Sequence, residues 1–350
     1  MLNTNQIRRG VSFGIGFGTV ALILVLLIYA SHIFLMLFTA ILIAVFLNGL
    51  TMLLRKWVAL SPRQALFVVI FVITGILVAL GFLTGPRIAA QIDKLIRMLP
   101  ESLKEIRDYL EHSQVGQFIL SQAPRQSGAE GGGFSLFRRI TGFFSSTVNV
   151  LVSVFIVLIL GIYGAIEYPR YNNSLMYLVG EDKQGRLQEV LQAILQALRW
   201  WLIGRFAMMV IVGILTGLGL WILGVPLALS LGFIAFLFAF VPFIGPLLSA
   251  IPAVMIALLE GVDTALYAVI LYILVQSLES YFITPWVQNR TVFIPLTLLI
   301  TGQVLMGFLV GIVGILIATP LILVLILLVQ ILYVEGRLGY EVQLMGDHKK

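Results

Sequence analysis

The chain of 350 residues contains no cysteine. That excludes disulfides, thiolate metal sites and a cysteine nucleophile. Histidine is nearly as scarce: His32, His112 and His348 are scattered, with no His-Glu-x-x-His spacing for zinc. There is no Gly-x-Ser-x-Gly elbow and no Gly-x-x-x-x-Gly-Lys-Ser/Thr phosphate loop, which removes two common hydrolase and ATPase motifs. The reading is of a chain that is not an enzyme and uses no metal and no cofactor. Charge is sparse as well. Charged residues make up 11% of the chain and hydrophobic ones 60%, with a mean hydropathy of +1.07. A soluble domain carries about 25% charged residues and about 45–50% apolar ones. The solvent of this chain is therefore lipid. The net charge of +6 would invite nucleic acid in a soluble protein. Here the basic residues sit in short segments between apolar runs, where they set orientation, so no nucleic-acid partner is expected.

What the sequence has in abundance is apolar runs. A bilayer crossing takes about 20 apolar residues, and the candidate spans are residues 11–30, 33–54, 65–85, 147–167, 205–223, 264–284, 293–312 and 314–334. Arg8 and Arg9 precede the first run without a small-residue cleavage site to end it, so it reads as a retained span. Arg8, Arg9, Arg55, Lys56, Arg63, Arg290, Arg337, Lys349 and Lys350 fall on one side if the spans alternate. That side is expected to be cytoplasmic and to hold both termini.

The chain divides into a three-span region at 1–85, an extracytoplasmic segment at 86–146, a span with a cytoplasmic interfacial helix at 147–204, a membrane core at 205–336 and a tail at 337–350. In the outer segment, Ile88, Ile92, Leu95 and Leu99, then Leu103, Ile106 and Leu110, place an apolar stripe on each of two short helices broken at Pro100. It reads as a packed cap or as a gate on the outer face. Residues 127–133 form a Gly-rich loop by composition. Leu187, Val190, Leu191, Ile194, Leu198 and Trp201 make the apolar face of the interfacial helix.

Between the fifth and sixth spans lies a broken apolar region, residues 226–259. Its centre, FAFVPFIGPLLSAIPA, carries Pro242, Gly245, Pro246 and Pro252. Helices of about 24 and 21 Å on either side of the break are each short of a hydrocarbon core of about 30 Å. Two readings fit: a re-entrant hairpin that turns inside the membrane, or two tilted spans joined at the surface. Broken backbone at membrane depth is tolerated where protein buries it or it lines a cavity, and transporters place binding sites at such breaks.

The run WWLIGR…VGILTGLGLWILGVPLALSLGFIAFLFAFVPFIGPLLSAIPA, followed by Glu279, Pro285, Pro295 and GFLVGIVGILIATPL ending at Pro320–Leu321, resembles the autoinducer-2 exporter (AI-2E) family, the PerM-like permeases. The likeness runs from about residue 11 to 335 and is strongest from Gly204 onward. LVGEDKQGR and Gln288-Asn289-Arg290 depart from the usual pattern, both in loops. The resemblance implies about eight spans in a bacterial inner membrane, a transporter role and homo-oligomers. The substrate it implies is a small polar solute such as a quorum-sensing signal, or a monovalent cation exchanged for protons.

Ionisable groups inside the spans are few, and Glu279 is the clearest. At a helix centre it costs about 2.5–3.5 kcal/mol on insertion scales, and intramembrane acids mark ion or proton pathways. Tyr272, Gln276, Glu279 and Ser280 are spaced to form a polar stripe. Glu279 either faces a cavity through that stripe or is an anchor that snorkels to the interface or pairs with Arg290 or Arg205. Gln303 adjoins Thr301 and Gly302 in a Gly-rich span and is a further transport candidate, while Asn48 and Gln330 read as interhelical hydrogen-bonding groups. Gly204, Arg205, Pro285, Pro295, Gly311, Gly314 and Pro320 are expected to serve conformation or packing. The competing reading, from a different class, is a non-transporting membrane scaffold that binds cell-envelope partners through its outer segment.

Overall fold

A computed structural model describes residues 33–76, 147–177, 180–283 and 294–335, with individual positions between 78 and 98. The expected span 11–30, most of the outer segment, Pro285, Arg290 and the tail lie outside the described residues. The fold is all-α, with no strand among the described residues. In chain order the helices are α1 (Ile33–Arg55) and α2 (Pro62–Ile76), then α3 (Thr147–Ile166), α4 (Tyr168–Tyr177), α5 (Glu181–Ile222), α6 (Ala228–Phe238), α7 (Ile244–Leu259), α8 (Val262–Leu278), α9 (Leu296–Val310) and α10 (Ile312–Leu328). Two π-helical segments, Glu279–Ile283 and Val329–Glu335, prolong α8 and α10.

Four stretches are long and apolar enough to cross a membrane: Ile33–Arg55, Lys183–Ile222, Val262–Tyr281 and Ile312–Glu335. The expected span at 293–312 is instead the 15-residue helix α9, about 22 Å long and short of a full crossing. Its start is set by Pro295, which cannot donate to a preceding turn, and its end by Gly311 at φ 74°.

The largest difference from the sequence reading is α5. An interfacial helix ending near residue 203 and a span starting at 205 are one uninterrupted helix of 42 residues, about 63 Å long. Gly204 lies inside it and does not break it, because a lone glycine costs only about 1 kcal/mol and removes no hydrogen bond. The far half of α5 packs on α6 at backbone distance. A Cβ on Gly232 would come within 2.7 Å of the Gly217 Cα, and one on Gly213 within 2.6 Å of the Phe236 Cβ. The near half shares a core with α10 and α1, built from Val190, Leu198, Trp201, Leu202, Ile317, Leu323, Leu327, Leu35, Phe38 and Val45. α1 also receives α3, where Gly161 lies against Ile43 and Gly164 against Ala44.

Two hairpins of short helices, α6–α7 and α9–α10, flank this rod. Phe240 at the tip of the first and Val310 at the tip of the second both pack on the core that contains Trp201 and Leu202. The Phe240 and Trp201 rings meet edge to face at 5.9 Å. The tip of the first hairpin is thus brought to the middle stretch of the long helix, at Arg205.

Candidate functional site

The inward face of α8 carries Ala265, Ala268, Tyr272 and Val275, and Glu279 continues it. These residues recur every three or four positions, one helical face. At Glu279 the helix widens into a π turn, a local irregularity frequent at functional sites. The Glu279 side chain is only 5% exposed. It pairs with Arg205 of α5, whose Nη1 donates to Glu279 Oε1 at 3.1 Å. Arg205 Nε donates to the Phe240 carbonyl at 2.9 Å. That carbonyl follows the end of α6, where helix geometry supplies no internal donor. One guanidinium therefore joins a span carboxylate to the tip of the first hairpin. Arg205 Nη2 and Glu279 Oε2 are both buried without a partner.

The hairpin tip itself is a strained turn. Pro242 is followed by Phe243 at φ 64°, a region that disfavours residues with a Cβ. Gly245 follows because a Cβ there would run into the Phe238 carbonyl. The Gly245 N–H donates to the Val241 carbonyl at 3.1 Å and Ile244 to Pro242 at 2.8 Å, closing the turn internally. Pro246 falls in the first turn of α7, where a missing N–H costs nothing. Pro252 lies inside α7 and deprives the Leu248 carbonyl of its helical donor. Tyr272 reaches across from α8 and donates to the Ser249 carbonyl at 3.0 Å, and the Ser249 hydroxyl donates to Pro246 at 3.0 Å. α5 and α8 both hold this hairpin by polar contacts.

The expected polar stripe is split. Tyr272 and Glu279 point into the protein, whereas Gln276 is half-buried and Ser280 exposed, and these two bond each other at 3.4 Å. At about 100° per residue Gln276 and Ser280 lie roughly 40° and 80° round from Tyr272, on the edge of the stripe nearer solvent. Gln303 is fully buried but sits apart, with its Nε2 at 3.4 Å from the Thr319 hydroxyl of α10 and its Oε1 without a partner. Of the conformational residues, Gly204 is buried in α5 beside Arg205. Pro295 precedes α9, Gly311 turns between α9 and α10, Gly314 lies on the Met306 carbonyl and Pro320 is buried within α10. Asn48 bonds the Ala165 carbonyl at 3.4 Å, joining α1 to α3.

Sequence reasoning missed Ser249, Thr319 and the Phe240 carbonyl. A main-chain acceptor has no sequence signal of its own. The surplus of helix breakers around it was the available hint, since each break leaves backbone groups in need of partners.

The chain is 26% identical over 310 residues to YueF of Bacillus subtilis, provisionally named a transport protein, covering 84% of this chain and 82% of that one. It is 21% identical over 322 residues to the AI-2 transport protein TqsA of Escherichia coli, covering 90% and 91% of the two chains. The model of the AI-2E family transporter matches residues 17–333. The chain therefore belongs to the AI-2E transporter family and is a multi-pass membrane transporter.

Proposed function

We propose that this chain is a secondary transporter whose coupling element is the Arg205–Glu279 pair. It exports a small polar solute such as a quorum-sensing signal, or exchanges a monovalent cation for protons. One observation carries the reading: a buried ion pair that also grips the tip of a broken hairpin and keeps a free donor and a free acceptor. Isolated charges in hydrocarbon are costly and are retained where they serve a pathway. A solute hydroxyl could accept from Arg205 Nη2 and donate to Glu279 Oε2 without first breaking the pair. A proton or cation taken up by Glu279 competes with Arg205 for the carboxylate, which loosens the guanidinium that holds Phe240. Binding at the pair and movement of the hairpin are then one event. The likeness to TqsA, an AI-2 transport protein, supports the small-solute form of the reading. Tyr272 positions the hairpin from its other leg.

The test is flux into sealed liposomes with the purified chain, comparing native protein with Glu279→Gln. The amide keeps the shape and an acceptor but cannot titrate. The expected result is lowered transport and a flattened pH response, counted per folded molecule. Normal flux with the native pH response would leave the pair a structural anchor. No flux of any solute or ion under any gradient would favour the scaffold reading.

A further inference from the structure

α5 carries Arg186, Arg199 and Arg205, and two of them are matched by acids. Arg186 pairs with Glu189 at 2.7 Å and Glu335 at 3.2 Å and donates to the Ile331 carbonyl at 2.7 Å. Arg205 has Glu279 and Phe240. Arg199 has neither an acid nor a hydrogen bond among the described residues. It is half-buried, its Nε is fully enclosed without a partner, and among the described residues Tyr168 is the one other ionisable side chain that acts on it. A guanidinium withdrawn from water without a counter-charge is unfavourable.

The chain nevertheless makes room for it. The Arg199 stem lies against Gly49 of α1, where a Cβ would come within 2.7 Å of the Arg199 Cγ. The level of the site is fixed by its neighbours. Asn48, next to Gly49, bonds Ala165 at the end of α3, and α3 gives way there to Glu167, Tyr168, Pro169 and Arg170. Glu167 and Arg170 pair with each other, leaving Arg170 largely in water. Tyr171 and Tyr177 on α4 and Trp57 after α1 are exposed, as aromatic side chains are at a membrane–water interface. On the side of α3 turned away from α1, Phe155, Ile159 and Tyr163 are exposed and apolar.

We propose that Arg199 is a binding site for the phosphate of an anionic lipid headgroup, with Tyr168 beside it. The planar fork of arginine suits two phosphate oxygens at once, and such charge-assisted bonds are about twice as strong as neutral ones. The missing counter-charge is then supplied by the bilayer, at the depth where headgroups lie.

The experiment uses the full chain in dodecyl maltoside. Phosphatidylglycerol, phosphatidylcholine and inorganic phosphate are each added while bound mass is read by native mass spectrometry and unfolding by temperature. Native protein should retain phosphatidylglycerol and gain thermal stability from it, with little response to phosphatidylcholine or inorganic phosphate. Arg199→Gln should weaken phosphatidylglycerol binding about tenfold or more, the loss of a charge-assisted contact. It orphans no protein partner, so it should fold as native. Arg199→Lys should bind at an intermediate level, and Arg186→Gln should bind as native. An equal effect of inorganic phosphate, lost in Arg199→Gln, would overturn the lipid source and leave a site for a soluble anion. Undiminished phosphatidylglycerol binding in Arg199→Gln, or the same loss in Arg186→Gln, would overturn the site.

Discussion

The two hairpins are built from similar parts and end differently. α6 and α7 have 11 and 16 residues, α9 and α10 have 15 and 17, and each pair carries a proline inside its second helix. The second hairpin turns on a single glycine, Gly311. The first turns through several residues that include Pro242 and Phe243, and an arginine from another helix caps its last free carbonyl. Both turns are closed by backbone hydrogen bonds, and the first is also held by a charge from another helix. A turn held by charge can be released by a change of charge, whereas a glycine turn has no such handle. Under the proposed function, the responsive element is the first hairpin.

The largest effect that would sharpen the contrast is expected at Arg205. Arg205→Ala leaves Glu279 buried and unpaired and frees the Phe240 carbonyl, so it should destabilise the chain by about 3–5 kcal/mol. Thermal or denaturant unfolding in detergent checks this. Replacing both members together, Arg205→Met with Glu279→Leu, should recover most of that stability, since an apolar pair can substitute for a buried ion pair. Flux should not recover. Recovered flux in the double variant would remove charge from the working of the first hairpin and erase the difference between the two tips.

Next come the turn glycines. Gly245→Ala sets a methyl against the Phe238 carbonyl, a backbone atom that cannot step aside. The expected cost is about 1–3 kcal/mol, as for overpacking a closed site. At Gly311 a Cβ would meet open space, but φ 74° with ψ −149° is a backbone region essentially confined to glycine, so Gly311→Ala costs about 1–3 kcal/mol in strain alone. Unfolding midpoints of the two variants side by side give the order directly. A larger loss at Gly311 would make the second tip the more constrained one.

Membrane class and helical content were legible in the sequence because apolar runs and sparse charge have one physical explanation. The break near Pro242 was legible for the same reason: helix breakers are costly in lipid. The continuity of α5 was not. Charged and apolar residues alternate over Glu181–Gln196 as they would on an interfacial helix, and nothing local says whether such a helix bends at Gly204 or runs on. Tertiary packing on α10 and α6 decides it. Glu279 stood out as an acid within a span, but its pairing with Arg205 at 3.1 Å needed the fold. Which side of the stripe faces inward was not legible: Tyr272 and Glu279 are buried while Gln276 and Ser280 form its outer edge, and only the rotation of the helix against its neighbours decides that.

A smaller effect is expected at Tyr272. Tyr272→Phe keeps the ring in its buried place and removes only the bond to the Ser249 carbonyl at 3.0 Å. The loss should be about 1 kcal/mol, the usual net worth of one hydrogen bond, or somewhat more if Ser249 is left without a second donor. Because Tyr272 holds the second leg of the first hairpin, transport should fall more than stability does. Equal falls in both would make it a packing residue.

The smallest effect is expected in the second hairpin, at Gln303. This side chain is fully buried, yet its one bond to Thr319 is long at 3.4 Å and its Oε1 has no partner. Interhelical bonds of this kind in membranes average about 0.6 kcal/mol. Gln303→Leu loses that bond and also removes an unsatisfied carbonyl from an apolar site, and these changes oppose each other. Stability should therefore move by no more than about 0.6 kcal/mol in either direction. Flux and its pH response should stay native, unlike those of Glu279→Gln. A fall in flux as deep as that of Glu279→Gln, at unchanged stability, would mean that the solute path runs through the polar pair of the second hairpin. The charged tip of the first would then be the scaffold against which the second moves, and the roles assigned to the two hairpins would be exchanged.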